Sequence, residues 1–273
     1  MTSLDARRSR QLTVVKLGGE LLEEASSLRR LARTLAEQAS RKPLVVVHGG
    51  GREVDRDLAK HGIPKQSIDG LRITDIDTLN IVIGVLAGRV NTRLVSTMSA
   101  AGSSAVGLTG ADASLVPVRQ NKSYRAANGK QWDLGYVGHP YSKEPPKLLL
   151  DLLEQGYTPV IASIGAGTKG QLYNVNADTL ASHLAVRLKA SRLVIAGSTN
   201  GVLTPLGKTI PTLAGDSVTR VIDDGSASAG MIAKLLAGRE ALRNGVGTVA
   251  IINGNNARRG LFERAVGGTV LTQ

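Results

Sequence analysis

The sequence predicts an α/β protein with a mainly parallel central sheet, and three observations carry that expectation. Apolar, β-branched runs alternate with helix-period segments along the chain, the pattern of strands joined by helical crossovers. Two of the runs end in glycine turns, LTVVKLGGELL at residues 12–22 and LVVVHGGG at residues 44–51. Glycine is abundant, at 32 of 273 residues, as many strand-to-helix turns require. This length is enough for one large domain or two smaller lobes.

The elements follow in order. Residues 12–16 read as a strand that ends in Lys16 before Gly18 and Gly19. Residues 26–41 place Leu28, Leu31, Leu35 and Ala36 at helical spacing. Residues 44–48 have the continuous apolar character of a strand buried on both faces. The glycines after His48 form a tight turn whose amides can approach an anion, because no Cβ stands in the way. A helix pattern at 52–61 puts that turn at a helix N-terminus, where exposed N–H groups favour negative charge. Residues 62–75 form a polar, glycine-punctuated loop. Residues 77–101 carry Leu79, Val82, Ile83, Leu86, Val90 and Leu94 at spacings of three and four, a long amphipathic helix. Within it, Gly84 and Gly88 either weaken the helix or permit close packing.

Residues 105–120 read as strand, glycine turn, strand, and Asn128-Gly129 is a hairpin signal. A helix at 147–155 and a strand at 158–164 come next. The short segment QLYNVNAD then leads into a helix at 177–190. A strand at 192–197 begins what reads as a second lobe. Helices near 216–222 and 229–243 and strands at 248–253 and 269–271 complete it.

Composition excludes several classes. There is no cysteine, hence no disulfide, thiolate metal site or cysteine nucleophile. Aromatic residues make up 3% of the chain, too few for platforms that stack single-stranded nucleic acid. The basic start lacks the apolar segment of a signal peptide, and no apolar run approaches the ~20 residues of a membrane span. A cytoplasmic protein with neither a membrane nor a nucleic-acid partner is expected. The formal charge of +12 keeps nucleic-acid binding as a competing reading, but the basic residues are scattered apart from Arg7, Arg8 and Arg10. The four histidines show no metal-ligand spacing, so no protein metal site is expected.

Two motifs fail on context. GAGTKG at 165–170 fits G-x-G-x-x-G, yet no helix pattern opens at its third glycine and no acidic residue ends the strand at 192–197. GVLTPLGKT at 201–209 is one residue too long for a phosphate-binding loop, and Pro205 and Leu206 spoil the nest of amides, so a hairpin is expected. His48, beside its glycines, either contacts a substrate or is structural.

What remains is a constellation: Lys16 with Gly18-Gly19, His48-Gly49-Gly50-Gly51, GLRITD at 70–75, NVNAD at 174–178, and GMIAK at 230–234. Two lysines and an aspartate flanking two glycine turns suit phosphoryl transfer between anions, which needs charge neutralisation and in-line positioning. Read singly, Lys16 is equally a solvated lysine, Asp178 a helix N-cap and Arg72 a surface charge. Together these residues resemble the amino-acid kinase family, over nearly the whole chain from Leu12, and GLRITD and SIG…GQLYNVNAD resemble its acetylglutamate branch.

The resemblance implies a three-layer αβα sandwich. It implies an acyl-acceptor and dimerisation lobe at 1–176 and a nucleotide lobe at 177–273. The implied reaction is ATP-dependent phosphorylation of the γ-carboxylate of N-acetyl-L-glutamate, the second step of arginine biosynthesis, with Mg2+ held mainly through the nucleotide. Lys16 and Lys234 would stabilise the transferring phosphoryl group and Asp178 would organise them. Gly18 and Gly19 would lie on the ATP phosphates, with Ser198, Thr199, Asn200 and Gly201 at the nucleotide. Gly50 and Gly51 would cradle the acceptor, Arg72 would pair with its α-carboxylate, and Asn174 would bond the same end. The chain departs from the family at Ser198, where an aspartate is usual, and at Ala229 before Gly230-Met231. Both departures fall in the nucleotide lobe. The short polar segment before Leu12 implies a homodimer rather than an arginine-inhibited hexamer. Competing readings are a kinase of carrier-bound aminoadipate and a catalytically silent regulatory homologue.

Overall fold

The computed structural model describes residues 12–126, 129–223, 227–256, 262 and 267–273. The basic segment before Leu12 and the hairpin signal at Asn128 lie outside the described residues. Eight strands form the central sheet: β1 (Thr13–Leu17), β2 (Leu44–His48), β3 (Ala105–Thr109), β4 (Thr158–Ala162), β5 (Arg192–Gly197), β6 (Thr212–Ala214), β7 (Thr248–Asn253) and β8 (Thr269–Thr272). Their spatial order is β6-β8-β7-β5-β1-β2-β4-β3. All neighbours are parallel except β7 with β8.

Alternation along the strands splits the core in two. Val14, Val45, Val47 and Ile195 face one side and pack with residues of α4 (Lys147–Glu154), α5 (Ala177–Arg187), α6 (Ser217–Asp223) and α7 (Ala229–Arg243). Val15, Leu17, Val46 and Val194 face the other. They meet α1 (Ala25–Ala39), α2 (Gly51–Lys60) and the long helix α3 (Ile76–Ala100). Both faces of the sheet are therefore covered, which is why its inner strands read as unbroken apolar runs. The architecture is the expected three-layer αβα sandwich with a mainly parallel sheet.

α3 is long and apolar enough to cross a membrane by length and composition. Here Leu79, Val82, Leu86, Val90, Leu94 and Met98 are buried within the fold. Its middle, Gly84–Val90, is wound as a π-helix. Gly84 and Gly88 fall in this stretch, and a Cβ on either would meet nothing within 4 Å. They accompany the widened turn and do not serve close packing.

Several loops resolve into small sheets. The polar loop at 62–75 contains a hairpin, Ser67–Ile68 against Leu71–Arg72, turned by Asp69 and Gly70, both with positive φ. Such an Asp-Gly pair is a strong hairpin signal. The strand expected at 158–164 breaks at Ser163. Ile164–Ala166 then pairs antiparallel with Leu172–Val175 in a separate four-stranded sheet. The glycine-rich 165–170 segment is thus the turn of a hairpin, and no helix opens from it. At 201–209, Leu203 and Thr209 form an antiparallel bridge, and Thr204 N donates to Lys208 O at 2.8 Å, the expected hairpin.

Candidate active site

β1 and β5 are neighbours, but the chain leaves β1 for β2 on one side and β5 for β6, at the sheet's edge, on the other. The strand order reverses between them, and crevices at the carboxyl ends of such strands are where open α/β sheets bind ligands. A cleft of about 390 Å³ opens there. It is lined by Lys16, Gly18, Gly19, Gly50, Gly51, Arg72, Asn174, Asp178 and Lys234, nine residues singled out from the sequence.

The two glycine turns touch. A Cβ on Gly19 would lie 2.6 Å from Gly50 Cα, and a Cβ on Gly50 would lie 2.7 Å from Leu86 Cδ2 on the π-helical stretch of α3. Gly19 meets backbone and has no room for a side chain, whereas at Gly50 the Leu86 side chain would have to shift. The N-cap of α2 is Gly50, with no side-chain cap. The first-turn amides of α2 consequently lack the usual side-chain acceptor at the lip of the cleft.

Lys16 Nζ stands 3.0 Å from Asp178 Oδ1, and both side chains are buried. The contact is ionic rather than a directed hydrogen bond. The N-cap of α5 is Asn176, whose Oδ1 accepts from Asp178 N and Thr179 N. Asp178 therefore sits in the first turn with its carboxylate turned to Lys16, which removes the reading of Asp178 as a cap. Lys234, one turn into α7, donates from Nζ to Gly230 O at 3.1 Å. Burial pushes its ammonium below the ordinary lysine value; Asp178 opposes the fall, Lys16 adds to it and Glu20 opposes it.

Arg72 lines the same cleft. Its Nη2 donates to Gly51 O at 3.3 Å and pairs closely with Asp55. Its Nη1 is buried and has no partner among the described residues. Asn174 Nδ2 donates to Thr74 Oγ1 at 3.1 Å, and Thr74 Oγ1 donates to Arg72 O at 3.0 Å. Gly70, at the hairpin tip, would put a Cβ 3.7 Å from Ala229 Cβ, so the hairpin touches the start of α7 over the cleft.

His48 is fully buried. Its Nδ1 donates to Gly49 O at 3.1 Å, and its Nε2 accepts from Asn91 Nδ2 at 3.0 Å. Burial depresses its pKa to about 4. It braces the glycine turn and is absent from the cleft lining. Residues 198–201 follow β5 and also stand outside the lining. There Asn253 Nδ2 donates to Asn200 Oδ1 at 2.9 Å, and a Cβ on Gly201 would meet Thr269 N at 2.6 Å.

Sequence reading passed over Glu20 and Ser163, which line the cleft, and Asp55 and Thr74, which hold Arg72 and Asn174. Glu20 could have been suspected from its place beside Gly19. Thr74 lay inside the GLRITD motif without a role of its own, and Asp55 carries no signal until the hairpin is folded onto α2.

An open parallel sheet with lysines, glycines and a buried aspartate gathered at its reversal point is the equipment of a phosphotransferase. The amino acid kinase family model matches residues 11–253, and the chain belongs to that family. Its relatives carry a narrower name. Acetylglutamate kinase of Rhodospirillum centenum is 39% identical over 91% of this chain and 83% of its own. Acetylglutamate kinase of Gluconobacter oxydans is 38% identical over 94% of this chain and 90% of its own. Among solved structures, N-acetylglutamate synthase of Neisseria gonorrhoeae, complexed with coenzyme A and N-acetyl-glutamate, has a TM-score of 0.82 at 23% identity. That match covers 98% of this chain but 61% of the synthase, and it shows a shared fold.

Proposed function

We propose that this chain transfers the γ-phosphoryl group of ATP to the γ-carboxylate of N-acetyl-L-glutamate, giving N-acetyl-L-glutamyl 5-phosphate in arginine biosynthesis. The observation that carries this reading is that one cleft gathers two kinds of cationic group. It holds a buried lysine–aspartate pair with a second lysine, and an arginine whose Nη1 is buried with no partner among the described residues. An acceptor with two carboxylates can meet both groups. The acetylglutamate kinases at 38–39% identity support the same acceptor.

In this proposal Arg72 Nη1 takes the α-carboxylate, with Asn174 beside it, and the amides of Gly50 and Gly51 cradle the acceptor. A γ-carboxylate oxygen attacks the γ-phosphorus, the bond to the bridging oxygen breaks, and ADP leaves. Negative charge spreads over the transferring group, and Lys16 and Lys234 neutralise it from two sides. Asp178 holds Lys16 in place and offsets the repulsion between the lysines. Gly18 and Gly19 bring backbone to the phosphates, and residues 198–201 lie toward the rest of the nucleotide. Residues 1–176 form the acceptor lobe and residues 177–273 the nucleotide lobe, and the homodimer belongs to the same proposal.

Among the described residues no group of three or more His, Asp or Glu side chains could hold a metal by itself. The cleft contributes two carboxylates, Glu20 and Asp178. That sparse set fits Mg2+ arriving on nucleotide phosphates, since Mg2+ at kinase sites keeps waters and takes one or two carboxylates. The cation supplies charge neutralisation on the triphosphate.

The test is ADP release from MgATP with N-acetyl-L-glutamate, free glutamate and N-acetylaspartate, using the wild type and Lys16→Ala. Turnover with N-acetyl-L-glutamate alone is expected, reduced at least ~100-fold in the variant. Turnover with another acceptor, or silence with all three, would overturn the proposal.

A further inference from the structure

Glu20 lines the cleft, and the reaction above gives it no part. Its side chain folds back over Gly18, where a Cβ would collide with the carboxylate. A Cβ on Gly197, at the end of β5, would lie 3.3 Å from Glu20 Oε1 and 3.5 Å from Lys234 Cε. The carboxylate thus stands between the ends of β1 and β5, close enough to Lys234 to favour that lysine's charge. No hydrogen bond or ion pair among the described residues engages it. The other carboxylate of the cleft, Asp178, is committed to Lys16.

This is an unfavourable place for a carboxylate if a triphosphate rests on Gly18 and Gly19. Like charges a few ångströms apart in a partly desolvated cleft repel strongly. A divalent cation between them reverses the sign, because it is attracted to both, and Mg2+ accepts a single carboxylate alongside phosphate oxygens and water. We propose that Glu20 is a ligand, direct or through one water, of the divalent cation that accompanies the nucleotide. Glu20 then makes nucleotide binding conditional on the cation: it repels the bare triphosphate and holds the metal-loaded one. The inference rests on the placement of the phosphates proposed above.

Calorimetric titration of the full chain with a non-hydrolysable ATP analogue, in saturating Mg2+ and in EDTA, tests it. The wild type is expected to bind at least ~10-fold more tightly with Mg2+. In Glu20→Gln that gain shrinks to less than about threefold, mainly because binding in EDTA becomes tighter than in the wild type. Glu20→Ala, compared by its unfolding midpoint, checks that the change does not come from a disturbed fold. Wild-type chain gives a reading without any variant: with the analogue bound, Mn2+ followed by electron paramagnetic resonance binds at least ~10-fold more tightly than to the analogue alone. The same Mg2+ dependence in wild type and Glu20→Gln, or no added Mn2+ affinity, would overturn the role of Glu20. Absence of analogue binding under both conditions would instead overturn the placement of the nucleotide.

Discussion

Arg72 divides its work between two edges of one guanidinium. Nη2 is held by Asp55 and Gly51 O, and Nη1 is buried with no partner among the described residues. Burial alone would raise the Asp55 carboxyl; hydrogen bonds from Lys65 and Arg72 outweigh it, and the pKa is lowered. Asp55 stays ionised and fixes the plane of the fork, which a planar cation needs for bidentate recognition. Asp55 is therefore a positioning residue for the acceptor. Asp55→Asn keeps its shape and removes its charge. We expect KM for N-acetyl-L-glutamate to rise ~10-fold or more with kcat within about threefold, since the phosphoryl end is untouched. A fall in kcat at unchanged KM would contradict this assignment. Arg72 was legible in the sequence as a loop arginine in a familiar hexapeptide. Its partner was not, because Asp55 lies 17 residues away on a different element.

At the scale of elements, the glycine turns do more than admit an anion. The sequence suggested that a missing Cβ lets amides approach a phosphate. The structure adds an earlier demand: Gly19 and Gly50 must pass each other, and Gly50 must also pass Leu86. Three elements, the turns after β1 and β2 and the π-helical stretch of α3, are locked at one point. Gly51 differs, since a Cβ there meets nothing within 4 Å. Gly19→Ala should consequently cost about 1–3 kcal/mol, the range for overpacking against atoms that cannot rotate away. It should lower the unfolding midpoint by several degrees and spread the turns. Gly51→Ala should leave the midpoint within about 2 °C of wild type, as helix-start positions accept alanine without strain. Equal effects of the two substitutions in thermal unfolding would show that the contact between turns is not what fixes these glycines. The π-helical winding itself was not readable: the glycines at 84 and 88 marked the place, but the spacing of apolar residues stayed helical.

At the scale of the molecule, the central sheet was legible because its inner strands, five or six residues long, are mostly apolar, and the glycine turns after the first two gave direction. The short outer pieces were not. Thr212–Ala214, at the edge of the central sheet, and Leu172–Val175, in the smaller sheet, carry too few residues for a period, and each has a partner strand distant in sequence. Burial on both faces has a further consequence for histidine. His48 lies under the glycine turn and His183 on α5, and burial depresses both to about 4. For His48, Arg93 adds to the fall and the bonds to Gly49 and Glu53's charge oppose it. Its Nε2 faces the Asn91 amide as an acceptor, so a proton there would displace a buried hydrogen bond. His183 Nε2 is buried with no partner among the described residues. A group whose folded pKa lies below its unfolded value of 6.5 binds protons preferentially in the unfolded chain. Stability is therefore full above about pH 6.5 and is lost as pH falls toward about 4. Between pH 7 and 5 each histidine should remove about 1.5–2 kcal/mol. Urea unfolding at the two pH values should show that loss in the wild type, and it should shrink stepwise in His48→Gln and in the double variant with His183→Gln. Glutamine does not titrate in this range, so a double variant that lost as much stability as the wild type would place the acid sensitivity in the carboxylates instead.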